Sequence, residues 1–155
     1  MSMIALGLFA LAAAQEPNAE AAITKYCEPL AAGAAVAKVE PLLTADGFKP
    51  AVVGGQPVWL RGETIVGLSD NPRVCLVQAP RSMTLAEGMA LTDAWAKRRP
   101  DAVRSPATIG PDGAPVRGYT SVEGNAALVA SHQTTASGQK VMTFILMPLP
   151  KAVRN

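Results

Sequence analysis

Residues 116–147, VRGYTSVEGNAALVASHQTTASGQKVMTFILM, contain the pattern that decides the fold. Small or apolar residues alternate with polar ones over 116–123, and the pair Gly124-Asn125 separates this run from a second predicted strand at 126–134. A turn at 136–138 leads into a third predicted strand at 140–147, which is almost unbroken in apolar residues over 141–147. Alternation of period two between tight turns predicts an antiparallel meander of three strands. Because its third strand is apolar on both sides, we expect it to be covered on both faces.

The first half of the chain shows a shorter version of the same pattern. Strands are predicted at 58–61, 64–68 and 73–78, with turns at 61–63 and 69–72. The run 73–78 contains four consecutive apolar residues, which predicts another central strand with both faces covered. The sequence therefore contains two groups of three strands.

Helical spacing of apolar residues predicts three helices between these strands. The first covers 19–30, where Pro29 should kink or end it, and the second covers 36–45 with Pro41 inside it. The third opens at Thr84, which forms a capping-box pattern with Glu87, and stops at Pro100. We expect Leu85, Met89 and Trp95 to be buried on it. The resulting fold class is α+β: an antiparallel sheet of about five or six strands with two or three helices packed on one face.

The N-terminus reads as an export signal. The segment MSMIALGLFALAAA has no charged side chain, and its apolar run is shorter than the ~20 residues that span a bilayer. Three alanines precede Gln15, as small residues precede a signal cleavage site. We predict a signal peptide at 1–14 and a single α+β domain at 15–155. A buried N-terminal helix is the alternative, and the missing Lys or Arg leaves open a start further upstream.

Two cysteines, Cys27 and Cys75, support the same compartment. Cysteines in exported chains are usually paired, because the outer compartments are oxidising. We therefore predict a Cys27–Cys75 disulfide and a periplasmic or secreted location. Two unpaired buried thiols are the alternative.

Charge and composition exclude several classes of partner. The formal net charge is +2 and no block of like charges occurs, so nothing favours binding to nucleic acid or to an anionic membrane. After cleavage of the signal, no stable membrane span is expected. The basic cluster Lys97, Arg98 and Arg99, with Arg104 beyond it, is a possible partner-binding site. Its alternative is a helix C-terminus whose cations complement the helix dipole.

No catalytic, metal or cofactor signature occurs in the sequence. His132 is the only histidine, and we expect it on a polar sheet face between Ser131 and Gln133. The glycines form no phosphate-binding loop. Acidic residues share no helix face or short spacing, and we expect neither a metal nor a cofactor; the scattered acids are Glu63, Asp70, Asp93, Asp101, Asp112 and Glu123.

These exclusions favour a non-catalytic protein that binds another macromolecule, most simply a protein of the cell envelope, as an inhibitor, immunity factor or accessory protein. One alternative is a small exported hydrolase whose site is assembled only in the fold. Another is a carrier of an apolar small ligand between sheet and helices, lined by methionines including Met83, Met89, Met142 and Met147. An exposed apolar patch would favour the binder. A shifted carboxylate or histidine in a cleft would favour the hydrolase, and a closed apolar cavity the carrier.

Overall fold

The computed structural model describes residues 17–150, so the predicted signal peptide, 1–14, lies outside the described residues. The α+β class is confirmed, because helices accompany one antiparallel sheet. The sheet is larger than the predicted five or six strands, since it has nine. The strands are β1 (Lys49–Val53), β2 (Gln56–Arg61), β3 (Thr64–Asp70), β4 (Arg73–Gln78), β5 (Val103–Arg104), β6 (Thr108–Ile109), β7 (Pro115–Ser121), β8 (Ala126–Thr134) and β9 (Lys140–Pro148).

Three helical segments accompany the sheet. The first consists of α1 (Ala19–Ala22), a π-helical turn (Ile23–Cys27) and α2 (Glu28–Ala31), which follow one another without a break. Pro29 does not end this segment, contrary to expectation. It lies in the first turn of α2, directly after the widened π-helical turn, where a missing backbone N–H is tolerated. The helix α3 (Val36–Ala45) has the predicted bounds and contains Pro41.

The third segment is α4 (Leu85–Lys97), and its start is fixed by the predicted capping box. The Glu87 N–H donates to the Thr84 hydroxyl at 3.2 Å, and the Thr84 N–H donates to the Glu87 carboxylate at 2.7 Å. The ionised Glu87 carboxylate accepts from the Thr84 N–H and also from the Thr84 hydroxyl, and these two bonds lower the pKa of Glu87. Met89 and Trp95 are buried as expected, whereas Leu85 is half-buried.

Two helix-and-strand halves meet in the middle of the sheet. The strand order is β1-β2-β3-β4-β9-β8-β7-β5, with β6 also paired to β7. The helix α3 precedes the first half and α4 the second, and the final strands of the halves, β4 and β9, pair antiparallel. The two strands expected to be central are therefore the two central strands.

All helical segments lie against the same face of the sheet. Directly opposed residues in neighbouring strands share a face, and successive residues alternate between faces. Cys75 is bonded to Cys27 of the first helical segment, and Met142 meets Gly88 of α4. By register these two strand residues lie on one side, which we call the covered face. Its almost fully buried residues are Val66, Cys75, Val77, Leu128, Ala130, Met142, Phe144 and Leu146.

The predicted disulfide between Cys27 and Cys75 is confirmed. The two Cα atoms are 5.2 Å apart, and both residues are almost fully buried. The bond ties the first helical segment to a central strand and closes a separation of 48 residues. In the chain-entropy model, a disulfide that closes a loop of this size lowers the entropy of the unfolded chain, and this stabilises the fold by about 4 kcal/mol.

The two edges of the sheet are poor templates for further pairing. At one edge, the two-residue turn Gly54-Gly55 sets the register of β1 on β2, and both glycines have positive φ. That register points the nitrogen of Pro50 towards the free edge, where it offers no N–H. At the other edge, β5 and β6 have only two residues each. Short strands and proline are both devices that limit edge-to-edge association.

Candidate interaction surface

The second face of the sheet has an apolar middle, yet within residues 17–150 every helix lies on the other side. Along β4 and β8, buried residues of the covered face alternate with half-buried residues of this second, open face. The half-buried apolar side chains that pack against the core belong to the helices, to the loops and to the covered face, and not to this second face. We define the open face by nine half-buried residues: Val58, Leu60, Ile65, Val74, Leu76, Ala127, Val129, Ile145 and Met147.

This finding corrects one expectation from the sequence. The apolar runs 73–78 and 140–147 predict strands covered on both faces, but the described chain supplies a helical layer for only one. An antiparallel sheet with one solvated face usually has polar residues on that face. The open face differs from that pattern, because its apolar residues run across the middle of the sheet beside polar ones; the polar residues are Ser69, Gln78, Thr120, Ser131, Gln133 and Thr143.

A continuous row of small and branched residues crosses the middle of the open face. Leu76 and Ile145 are directly opposed at the centre, where β4 pairs with β9. Beyond Leu76, the row continues to Gly67 and then to a valine. Beyond Ile145, it continues to Val129 and then to a glycine. The complete row is Val58, Gly67, Leu76, Ile145, Val129 and Gly118.

Charge is distributed unequally between the two faces. Among the strand residues of the described chain, Lys49, at a corner, is the one charged residue on the open face. The other charged strand residues lie on the covered face by register, and several bond to the helices. Arg117, for example, donates to Asp93 of α4 at 2.7 Å, and Arg73 donates to the carbonyl of Leu30 in α2 at 3.1 Å.

Hollows and polar groups lie at the margins of the open face. A hollow of about 250 Å³ next to Gly118 is lined by Ser105, Pro106 and the valines Val116 and Val129. At the other end of the strands, a polar hollow of about 240 Å³ includes Glu63, Gln78 and Arg81. An apolar centre with a polar rim is the usual anatomy of a protein interface.

The basic cluster predicted to bind a partner is divided in the structure. Arg98 donates to Glu20 at 2.8 Å, and Arg99 donates to Glu28 at 3.0 Å, so both arginines tie α4 to the first helical segment. The Arg99 guanidinium also lies 3.8 Å from the ring centroid of Trp95. Lys97 and Arg104 are exposed, Lys97 on α4 and Arg104 on β5. The partner-binding role of these four residues stays a prediction.

Two of the scattered carboxylates hold the second half of the fold together. Asp93 accepts from the Tyr119 hydroxyl at 2.8 Å, which raises the pKa of Tyr119. Asp101 accepts from the Ser121 hydroxyl and from the Glu123 N–H, both at 2.8 Å, and these bonds lower the pKa of Asp101. These contacts give both carboxylates a structural role.

The other chemical candidates lie apart from one another. His132 is in β8, but its register partner is Met142, so it lies on the covered face and not with Ser131 and Gln133. Met142 fills the space beside Gly88, where an added Cβ would lie 2.4 Å from its Cε. Within residues 17–150, no group of three His, Cys, Asp or Glu residues is arranged to hold a metal ion.

No protein-family model matches the chain, and searches of curated proteins and of solved structures return no match. In the part of the chain that the structure describes, no helix has the length and apolar character needed to cross a membrane. The open face is the surface that the sequence reasoning missed. Its signal was present in the two central strands. Consecutive apolar residues in a strand place apolar side chains on both faces of the sheet, whereas one covered face needs them only at alternate positions.

Proposed function

We propose that this protein is a non-catalytic exported protein, periplasmic or secreted, that works by binding another macromolecule through the open face. The observation that carries the proposal is the nine-residue apolar surface on the side of the sheet without helices. Contiguous exposed apolar patches larger than a few hundred Å² typically mark interaction sites in soluble proteins.

The energetic reason is the cost of leaving this surface in water. Burial of apolar area is favourable by roughly 25 cal/mol per Å². The side chains of the open face, such as Leu76 and Ile145, already have fixed positions on paired strands. A partner that covers them therefore gains apolar burial while ordering little of this chain.

Two features support export. The Cys27–Cys75 bond is of the kind that persists in oxidising compartments. The apolar segment at 4–14, followed by Gln15, has the pattern of a cleaved signal. An envelope protein is accordingly the simplest source of a macromolecular partner.

Site-specific photo-crosslinking in the native host tests the proposal. A photoreactive residue placed at Ile145, at the centre of the open face, should form a crosslinked adduct with a protein. The same residue at Val122, which is 50% exposed in the turn after β7, is the matched control and should form little. Equal yields at the two positions, or none at Ile145, would contradict the proposal.

A further inference from the structure

We infer that the macromolecule that covers the open face is a second copy of this chain, so that two sheets pack face to face. This inference rests on the proposed function, because it names the partner of the same surface. Three properties of the open face support it: its charge, its central row and its size.

A second copy matches the open face in charge. Among the strand residues of the described chain, a face-to-face pair buries no charged side chain except at the Lys49 corner, and the Glu63–Arg81 ion pair lies at the margin beside the polar hollow. The middle of the face therefore brings no ion out of water. A partner with a charged contact surface would find no counter-charge here. A membrane surface usually requires flanking Lys, Arg or Trp, but Trp59 and Arg61 lie on the covered face.

The central row is complementary to itself. An isologous pair uses the same patch on both copies. A two-fold axis between β4 and β9, parallel to the strands, reverses the row of the second copy. At the centre, Leu76 of one copy then faces Ile145 of the other, an apolar pair of equal size, and at the next position Gly67 faces Val129. A large residue opposite a small one, as in the Gly67–Val129 pair, is the arrangement that lets two layers interdigitate.

The ends of the same row also fit this axis. Val58 of one copy is brought opposite Gly118 of the other, beside the hollow of about 250 Å³ that Ser105 and Pro106 border. A valine side chain is a small knob, and this hollow offers room for it. The twist of each sheet turns the two strand directions by about 30° in such packings and leaves the centre of the row in contact.

The size of the face is sufficient for a stable pair. The main path of the sheet contains eight strands, of which all but β5 have five to nine residues. With strands ~4.8 Å apart and about six residues along each, these seven strands cover roughly 29 by 20 Å. Their area of roughly 600 Å² lies at the lower end of the ~600–1,000 Å² that each partner contributes to a standard protein interface.

The experiment measures the mass of the purified, oxidised protein by light scattering and sedimentation from nanomolar to high micromolar concentration. The wild type should pass from monomer to dimer. Ile145→Lys should weaken association at least tenfold, because each copy would bury an unpaired charge. Val122→Lys introduces the same charge in the turn after β7, outside the nine residues that define the open face, and should dimerise like the wild type. Circular dichroism and an intact disulfide check that both variants are folded.

A crosslink reports the partner without relying on a destabilising change. Isotopically heavy and light copies are mixed, each with a photoreactive residue at Leu76. Linked heavy–light peptides that contain Ile145 would support the inference. A wild type that stays monomeric at all concentrations would overturn it. If Ile145 or Leu76 crosslinks only to a different envelope protein, the second-copy inference fails and the proposed function stands. If neither position crosslinks to any protein, both fail.

Discussion

The two faces of this sheet differ in what covers them far more than in their apolar character. Beneath the helices, side chains such as Val77 and Leu128 are fully buried, and charged strand residues bond to the helices around them. On the open face, Leu76 and Ile145 are only half-buried, and within residues 17–150 the ion pair nearest to it, Arg81–Glu63, lies at its margin. An apolar pattern along a strand therefore indicates that a face of the sheet needs a cover. It does not identify the molecule that provides this cover.

The largest expected effect concerns the bond that fixes the helices to the covered face. Replacing both Cys27 and Cys75 by Ala should lower the free energy of unfolding by about 4 kcal/mol, through the freed 48-residue loop. Urea unfolding of the double variant measures this loss. Reduced wild-type protein is the control and should unfold at a similar urea concentration; a variant as stable as the oxidised protein would contradict the prediction.

The next effect compares the same substitution on the two faces. Leu128→Ala, on the covered face, should cost about 3 kcal/mol because it leaves a cavity under the helices. Leu76→Ala, on the open face, should cost less than about 1.5 kcal/mol in dilute solution, since its side chain is only half-buried there. Urea unfolding at low protein concentration measures the loss of stability in each of the two variants. Equal losses would mean that something already covers the open face in the monomer.

A smaller effect compares two glycines. Gly88→Ala should destabilise the protein by about 1–3 kcal/mol, because the new Cβ would collide with Met142 between α4 and the sheet. Gly67→Ala, on the open face, places its Cβ 3.7 Å from the nearest side-chain atom, which is an ordinary contact. It should change stability by less than about 1 kcal/mol. Thermal unfolding of the two variants tests the difference, and a neutral Gly88→Ala would show that the helix sits further from the sheet.

The smallest expected effect is that of salt on association. Because the open face contains no charged side chain except Lys49 at its corner, added sodium chloride should leave the dimerisation constant almost unchanged, and sulfate should strengthen it. Sedimentation at increasing ionic strength measures this. Association that weakens steeply with salt would point instead to the exposed cations Lys97 and Arg104.

Much of the fold was predictable because its signals are local. The capping box at Thr84, the bounds of α3 and the extent of β4 and β8 follow from residues that lie within one element. The two central strands were recognised from apolar runs, and the Cys27–Cys75 pair from compartment chemistry.

The missed elements depend on distant partners. The strand β1 contains Pro50 and is exposed over most of its length, so its identity as a strand comes from pairing with β2. The strands β5 and β6 have two residues each and exist only through β7. The open face was missed for a related reason. Tertiary packing decides on which side of a sheet a helix lies, and the hydrophobic periodicity of the strands does not contain that information.

Pro50 makes one edge of the sheet a poor template for further strands. A sheet with two free, regular edges can also hide its apolar strands by pairing edge to edge with neighbouring copies, which leads to open-ended growth. Here the edge at β1 lacks an N–H donor at Pro50, and the other edge consists of the two-residue strands β5 and β6. In the inferred pair, one second copy covers the open face and neither edge offers a regular strand to a third. The inferred assembly is therefore a closed dimer and not a fibre.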